Sequence, residues 1–315
     1  MGGLPGATRT IGRFDRQTDA VTDASRLEPV LTWLLRLVWI GVLVAGGSAI
    51  DGATASSSDL VGDVARYSAL AGWFAGVCAM AIPAVISLTA VRLIVPVAVP
   101  VATITLFGSA DAVAGISFLL LALMATIIAF SAVLGRVFVQ ASAYGEEDRH
   151  LLRPPAAYGL AALVAWGVWA TLVIIAPLAL GDRRWVIGSV LVAAATAVAA
   201  FGFSRWHRLS SRWLVVVPIG LVIHDQLVLA ETVMLRRQEI AGIRLAVAGT
   251  QAADLTGPAS GHAIEIATNE STTVILAGTP KKPGGTALHL RSCLVAPSRP
   301  GQALQAAARR RLPVG

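Results

Sequence analysis

The residue types that most often carry chemistry are few in this chain, and the densest group of them lies in one polar segment. Residues 146–150 read Glu–Glu–Asp–Arg–His. Carboxylates beside an imidazole are typical metal ligands, but a structural zinc site needs four ligands, and no second ligand cluster accompanies this group in the sequence. A solvated turn in a loop is the favoured interpretation.

Two other groups contain suitable residue types at unsuitable spacings. His262 and Glu265 are three residues apart, and because the surrounding pattern predicts a strand, they fall on opposite faces. The stretch that contains Lys281 and Lys282 lacks the GxxxxGK[ST] spacing of a phosphate-binding loop, and it indicates a basic hairpin tip. We therefore expect no catalytic residues, no cofactor and no metal site, and we expect that the protein is not an enzyme.

Composition identifies the solvent in which the chain folds. Hydrophobic residues make up 56% of the 315 residues, charged residues make up 14%, and the mean hydropathy is +0.72. A soluble domain has about 25% charged residues, and this much apolar surface exceeds what one globular core of this length can bury. The class of soluble globular proteins is excluded, and lipid is the expected solvent.

Six apolar runs are each about long enough to cross a bilayer, which needs roughly 20 helical residues. They cover residues 30–50, 68–90, 93–110, 112–134, 156–180 and 185–203. The second and third runs meet in a tight hairpin around Arg92, the third and fourth meet around Asp111, and either junction leaves five spans as an alternative. The predicted organisation is a flexible cytoplasmic arm over residues 1–29, an all-α membrane bundle over 30–204 and a β-rich domain over 205–315.

Basic residues are distributed unevenly between the two sides of the predicted spans. With the N-terminus inside, the inner side carries eleven arginines and the outer side carries three. Cytoplasmic loops are enriched in Lys and Arg, so we predict a multi-pass protein of the inner (plasma) membrane with both termini in the cytoplasm. The inner set is Arg9, Arg13, Arg16, Arg26, Arg92, Arg136, Arg149, Arg153, Arg205, Arg208 and Arg212, and the outer set is Arg66, Arg183 and Arg184.

The predicted membrane interior is poor in groups that serve transport or hydrolysis. Ionisable residues within the bilayer mark proton pathways, and no Asp, Glu, His or Lys lies in the middle of a predicted span. Gly72 and Gly76 form a GxxxG pair, which favours close helix packing. Pro96 and Pro100 lie one turn apart in the third run, and broken helices build some transport sites. A small transporter or channel therefore stays as the first alternative.

After residue 203 the pattern changes to short valine- and leucine-rich runs separated by turn residues, which is typical of strands. Strands are predicted over residues 213–218, 220–224, 227–230, 232–236, 244–248, 263–268, 273–277 and 287–293, with a helical turn over 239–243. An alanine-rich helix follows over residues 302–310, with Pro300 near its start and arginines in its last turn. The predicted domain is a small sheet, or a partly open barrel, closed by the terminal helix.

The stretch SRWLVVVPIGLVIHDQLVLAETVMLRRQEIAGI begins with strand, turn and strand and continues with Arg236, Arg237, Ile240 and Ile243. It resembles the bacterial pleckstrin-homology-like domains, which are often attached to polytopic membrane proteins. The ending LVAPSRPGQALQAAARRRLPVG is similar to the tail of uncharacterised actinobacterial membrane proteins with such a domain. The resemblance covers residues 212–315 and implies a pleckstrin-homology-like fold that binds or assembles at the membrane, without shared catalytic residues.

The excess positive charge belongs to the β-rich domain, since residues 205–315 hold 13 Lys and Arg against six Asp and Glu. Each basic residue near an anionic leaflet contributes about 1 kcal/mol of attraction. Contact with anionic phospholipid head groups and an ordinary soluble basic surface are both open interpretations. The candidate contact residues are Lys281, Lys282, Arg309, Arg310 and Arg311. No Phe, Tyr or Trp follows Trp213, so base stacking is missing and nucleic acid is not an expected partner.

Together these features favour a non-enzymatic integral membrane protein whose cytoplasmic β domain is a binding or assembly module at the inner leaflet. The expected partners are the lipid bilayer, anionic head groups or another membrane protein. A lipid-modifying membrane enzyme is the second alternative, with His150, His207 and His224 as the residues to test.

Overall fold

The computed structural model describes residues 8–108, 111–278 and 284–315, with side chains from residue 28 onward. Within these ranges a helical part is followed by two four-stranded β-sheets. The helices are α1 Thr8–Thr54, α2 Asp59–Ala81, α3 Val85–Ile94, α4 Ala98–Gly108, α5 Ala112–Phe130, α6 Ala132–Gln140, α7 Ala156–Gly181, α8 Trp185–Ser210 and α9 Pro300–Arg309. The strands are β1 Asp148–Leu151, β2 Arg212–Val217, β3 Gly220–Asp225, β4 Val233–Arg236, β5 Ile240–Leu245, β6 Ala253–Asp254, β7 Ile264–Leu276 and β8 Thr286–Val295.

The described residues contain six helical segments that are long and apolar enough to cross a membrane. The prediction of six spans is confirmed in this sense, and the chain is of the multi-pass membrane type. The third segment combines α3 and α4 through a 3₁₀ turn at Val95–Val97, where Pro96 lacks the N–H that an α-helix needs. The segments are Glu28–Thr54, Asp59–Ala81, Val85–Gly108, Ala112–Phe130, Ala156–Gly181 and Trp185–Ser210.

The connection between the second and third spans differs from the prediction. The chain turns at residues 82–84, not around Arg92, which lies inside α3. Pro83 explains the position of the turn, because the residue before a proline is driven out of the helical region, and Ile82 has φ −118° and ψ 110°. Arg92 instead reaches across to α5, where its Nε donates to the carbonyl oxygen of Ala129 at 3.4 Å.

Indole groups tie the first two spans together. Trp39 Nε1 donates to the carbonyl oxygen of Trp73 at 3.0 Å, and Trp73 Nε1 donates to that of Trp39 at 2.8 Å. An N–H group at membrane depth must find its acceptor within the protein, because water is absent there. Gly76 allows this approach, since a Cβ at that position would stand 2.7 Å from the Trp39 ring.

Helix α6 connects the spans to the sheets. The fourth span ends at Phe130, earlier than the predicted residue 134, because Ser131 is extended and its hydroxyl accepts from the Leu134 N–H to begin α6. Phe138 and Val139 on α6 are buried in the same apolar core as the spans. The chain then passes directly into β1.

The prediction of a C-terminal β domain is confirmed, and its described residues form two four-stranded sheets that are not closed. The first sheet has the order β1-β2-β3-β4 and is antiparallel throughout. The second has the order β5-β7-β8-β6, in which β6 alone is parallel to its neighbour. The predicted strand over residues 227–230 is a turn with one bridge from Leu229, and the predicted helical turn at 239–243 is largely β5.

The first sheet packs on both of its faces. Leu214, Val216 and Ile223 point into the core of the β domain, where α9 contributes Ala303 and Ala306. Leu151 and Trp213, paired across β1 and β2, instead pack against the core of the spans. The helical part and the β domain therefore share one continuous packed interface.

Candidate anion-binding pocket and its junction with the helices

Strand β1 comes from the loop between the fourth and fifth spans and begins with the carboxylate of Asp148. Its register against β2 places Asp148 opposite Val216. Asp148 Oδ1 lies 3.1 Å from Arg136 Nη2, and Asp148 Oδ2 lies 3.0 Å from Arg309 Nη2. One carboxylate thus connects α6, β1 and α9. The interpretation of residues 146–150 as a plain loop turn missed this strand, because its partner lies more than 60 residues away in β2.

Arg136 extends the connection to the first span. Its Nη1 lies 3.5 Å from Glu28 Oε1 and donates to Gln302 Oε1 at 3.0 Å. Glu28 is the first residue of the first candidate span, and Gln302 belongs to α9. The Arg136 side chain is only 20% exposed, so these pairs are screened less than surface pairs. The pocket wall at Asp148 is therefore two ion pairs away from the start of the first span.

A pocket of about 460 Å³ opens between α9, β1 and the turn that joins β2 to β3. Asp148, Pro218 and Ala306 form part of its wall, and the rest is lined by Arg237, Arg309, Arg310 and Arg311. Four guanidinium groups against one carboxylate give the lining an excess of positive charge. Arginine presents planar, paired donors that match carboxylate and phosphate oxygens, so the geometry fits an anionic ligand.

Arg237 is held in the pocket by the backbone. Its Nη2 donates to the carbonyl oxygens of Pro218 at 3.0 Å and of Arg310 at 2.7 Å. The second contact satisfies a carbonyl at the C-terminal end of α9, which otherwise lacks a donor. No acceptor among the described residues pairs with Nε or Nη1 of Arg237. Three N–H donors of a pre-positioned guanidinium are therefore available to a ligand.

The three arginines at the end of α9 have different degrees of restraint. Arg309 pairs with Asp148, and its side chain is 53% exposed. Arg310 Nη1 pairs with Glu146 Oε2 at 3.1 Å, and its Nη2 donates to the Glu146 carbonyl oxygen. Arg311 follows the end of α9 and has φ 57°, a left-handed conformation that turns the chain away from the helix. All three predicted contact residues on α9 thus line one pocket together with Arg237.

His150 lies beneath the pocket wall in a dry environment. It is 3% exposed, and its Nε2 lies 3.3 Å from Asp148 Oδ1, outside hydrogen-bond geometry. Burial lowers the pKa of His150 to about 4, although Asp148 pulls it upward and Arg136 and Arg309 reinforce the decrease. The imidazole is neutral at physiological pH, so it serves as a packed core residue here.

Arg212, one of the arginines counted as an inner-loop charge, is instead buried in the β domain at 0% exposure. Its Nε and Nη2 donate to the two oxygens of Asp225 at 2.7 and 2.6 Å, and its Nη1 donates to the Arg153 carbonyl oxygen at 2.6 Å. This bidentate pair joins β2 to β3 and to the chain after β1. Two opposite charges 13 residues apart are the only sign of this pair in the sequence.

The remaining predicted residues lie apart from the pocket. Lys281 and Lys282 fall outside the described residues. Gly76 lies against Trp39, whereas Gly72 has no described atom within 4 Å of a built Cβ. Glu265 pairs with Arg244 on the neighbouring strand. No group of three potential metal ligands occurs in the part of the chain that the structure describes.

Two features correspond to the alternatives of transport and catalysis. A crevice of about 230 Å³ lies beside Pro100 and Trp166, and its lining is mainly apolar. His207 Nδ1 lies 3.0 Å from Thr89 Oγ1, and its Nε2 lies 3.2 Å from Ser211 Oγ. Ser211 is 5% exposed and lines neither of these two cavities. Neither feature has both an opening to solvent and charged side chains along its lining. The pocket lined by Arg237, Arg309, Arg310 and Arg311, called the arginine pocket below, has both.

Six apolar helices and two C-terminal sheets define a multi-pass membrane protein with an appended β domain. Comparison with known proteins adds no family to this class, since no family model, no curated protein and no solved structure matches the chain.

Proposed function

We propose that the chain is a non-enzymatic protein of the inner (plasma) membrane whose β domain, of pleckstrin-homology-like type, is a binding module for an anionic ligand at the inner leaflet. The arginine pocket is its ligand site, and anionic phospholipid head groups are the ligand it encounters most. Both termini lie in the cytoplasm, so the pocket is on the same side of the membrane as the negatively charged inner leaflet.

One observation carries the proposal: four arginines line a pocket whose wall residue is linked through Arg136 to the first residue of a span. If these arginines only kept the domain soluble, they would not be expected to line a concave pocket or to be connected by ion pairs to the membrane helices. Two sheets followed by the terminal helix support the domain type. The inner-side bias of arginine supports the orientation.

The proposal is tested first by topology and then by lipid selectivity. A green fluorescent reporter fused after Gly315 is expected to fluoresce, and an alkaline phosphatase fusion at the same residue is expected to be inactive. An active phosphatase fusion contradicts the orientation, because it requires the β domain to be on the outer side.

Lipid selectivity is measured by native mass spectrometry of the full-length protein extracted from mixed phosphatidylcholine and phosphatidylglycerol. We expect the wild type to retain phosphatidylglycerol, and we expect Arg309→Gln and Arg310→Gln each to reduce this retention about fivefold, as the loss of about 1 kcal/mol per charge implies. Arg291→Gln is the matched control, because Arg291 is an exposed arginine of the same domain outside the pocket. Equal losses in all three variants contradict the pocket as the site.

A further inference from the structure

The arginine pocket contains an internal acceptor. Asp148 Oδ2 receives Arg309 Nη2 at 3.0 Å, which is the position that an oxygen of a bound anion takes beside a guanidinium. Its other oxygen, Oδ1, is 3.1 Å from Arg136. When Arg309 moves away, the Asp148 carboxylate is still paired with Arg136 and is not left as an unpaired charge.

We propose that the pocket takes a phosphate group and that this phosphate replaces Asp148 as the acceptor for Arg309. This inference rests on the proposed function. It adds the chemical class of the ligand and the replacement of Asp148 as the partner of Arg309 when the ligand binds. The group meant is a dianionic phosphate with three free oxygens, supplied either by a lipid head group that ends in a phosphate monoester or by free phosphate, and the two sources share this recognition chemistry.

Phosphate fits the pocket better than a carboxylate does. The donors come from several directions, with Arg237 on the turn after β4 and Arg309 and Arg311 at the end of α9. A carboxylate offers two oxygens in one plane, whereas a phosphate offers three outward-facing acceptor oxygens and about two negative charges. Arginine pairs bidentately with each such face. The volume of about 460 Å³ also leaves room for the group that carries the phosphate.

The existing ion pairs are weak enough to exchange. One member of each pair is exposed: the Arg309 side chain is 53% exposed against 17% for Asp148, and the Glu146 side chain is 78% exposed against 23% for Arg310. Water competes for the exposed member, which keeps the contribution of such a pair small. A dianion that contacts several arginines at once replaces two such pairs together. The exchange also removes the direct link between α9 and β1, while Asp148 stays with Arg136.

The test uses the full-length protein in detergent micelles and inorganic phosphate as the first probe, titrated at constant ionic strength with chloride as the balancing anion. Asp148→Asn removes the competing negative charge, so we expect phosphate to bind about two- to fivefold more tightly, which is the range implied by a partly exposed ion pair. Arg309→Gln is expected to bind phosphate several-fold more weakly. Glu270→Gln and Arg291→Gln, both exposed and outside the pocket, control for net charge.

Glu146→Gln is the second variant, because it removes the charged partner of Arg310 Nη1 without altering a buried residue, and we expect it also to tighten phosphate binding. The second probe is a nanodisc of phosphatidylcholine with or without phosphatidic acid, whose head group is a bare phosphate. The readout is the protection of backbone amides around Arg309 from hydrogen exchange. If both probes protect these amides, the pocket recognises the phosphate group itself. If only one probe protects them, that probe shows whether the ligand is free phosphate or a lipid.

The outcomes separate this inference from the proposed function. If wild type binds phosphate but neither Asp148→Asn nor Glu146→Gln tightens binding relative to Glu270→Gln, the exchange is wrong while the pocket remains an anion site. If neither phosphate nor phosphatidic acid binds, although the phosphodiester phosphatidylglycerol is retained through Arg309, the assignment to a dianionic phosphate is wrong and the binding module stands. If the wild-type protein shows no preference for any of these anions over neutral phosphatidylcholine or chloride, both the binding module and the phosphate exchange are wrong.

Discussion

Replacing Asp225 with asparagine tests the physical account of the β domain most directly. Arg212 is 0% exposed and Asp225 is 2% exposed, and two hydrogen bonds of 2.7 and 2.6 Å join them. Asn keeps one acceptor oxygen but loses the charge, so the guanidinium stays buried without a counter-ion. Removing one partner of a buried pair costs about 3–5 kcal/mol, and because one hydrogen bond survives we expect the lower end, about 3 kcal/mol.

The assay is hydrogen exchange of the full-length protein in detergent micelles, read by mass spectrometry on peptides from β2 and β3. Native-state exchange reports the free energy of local opening, and we expect it to decrease by about 3 kcal/mol in these strands. Glu270→Gln is the control, because Glu270 is exposed and such surface changes stay within about 0.5 kcal/mol.

A double variant separates the unpaired charge from the loss of contacts. Arg212→Met together with Asp225→Leu removes both charges at similar volume, and apolar replacement of a buried pair is often neutral. We expect the opening free energy to recover only in part, to within about 2 kcal/mol of wild type, because the part-buried Arg153 carbonyl and Leu227 N–H lose their partners. If Asp225→Asn costs less than about 1 kcal/mol, or if the double variant is as unstable as the single one, the reasoning from an uncompensated buried charge is refuted.

Two further outcomes follow from His150 and from the glycines of α2. The folded pKa of His150 is about 4 and the unfolded pKa is about 6.5, so between these values the unfolded state binds the extra proton and stability decreases as the pH decreases. We expect His150→Gln to flatten the pH profile of β1 opening in that window by roughly 3 kcal/mol, and an unchanged profile contradicts the burial of a neutral imidazole. Gly76→Leu must push against the Trp39 ring, where a Cβ already stands 2.7 Å away, and we expect a loss of about 1–3 kcal/mol in thermal unfolding of the solubilised protein. Gly72→Leu, with open space around it, is expected to leave the midpoint unchanged, and equal losses at both positions contradict the packing argument.

Hydropathy was sufficient to predict the helical part, because lipid imposes both the length and the apolar character of a span. The error at Arg92 has a specific origin. An arginine within an apolar run favours a loop at that position, but Arg92 lies in α3 and reaches a backbone carbonyl of α5 and the ring of Phe130. Pro83 was the better marker, since its effect on the preceding residue is local.

The β domain was predictable only where its signals are local. Pro218 and Gly220 mark the hairpin between β2 and β3, and the structure places its turn there. The pairing of β1 with β2 brings together Asp148 and Val216, and no periodicity within residues 146–150 reveals a partner so far along the chain. The run Arg309–Arg311 identified one wall of the pocket, whereas Arg237 and Asp148 join it only through the fold.

The same strand that escaped prediction determines how the proposed ligand site is connected to the membrane helices. β1 begins at the pocket wall with Asp148 and ends with Leu151 in the core of the spans, a distance of about 10 Å at the usual rise per residue. Leu151 and Leu152 are 5% and 2% exposed, and closely packed side chains move with their neighbours. A ligand that takes Arg309 from Asp148 therefore changes the forces at one end of a short strand whose other end is fixed in the bundle. If that reasoning holds, hydrogen exchange in α6 responds to phosphate in the wild type and no longer responds in Asp148→Asn, because that variant has already lost the carboxylate that links the two ends.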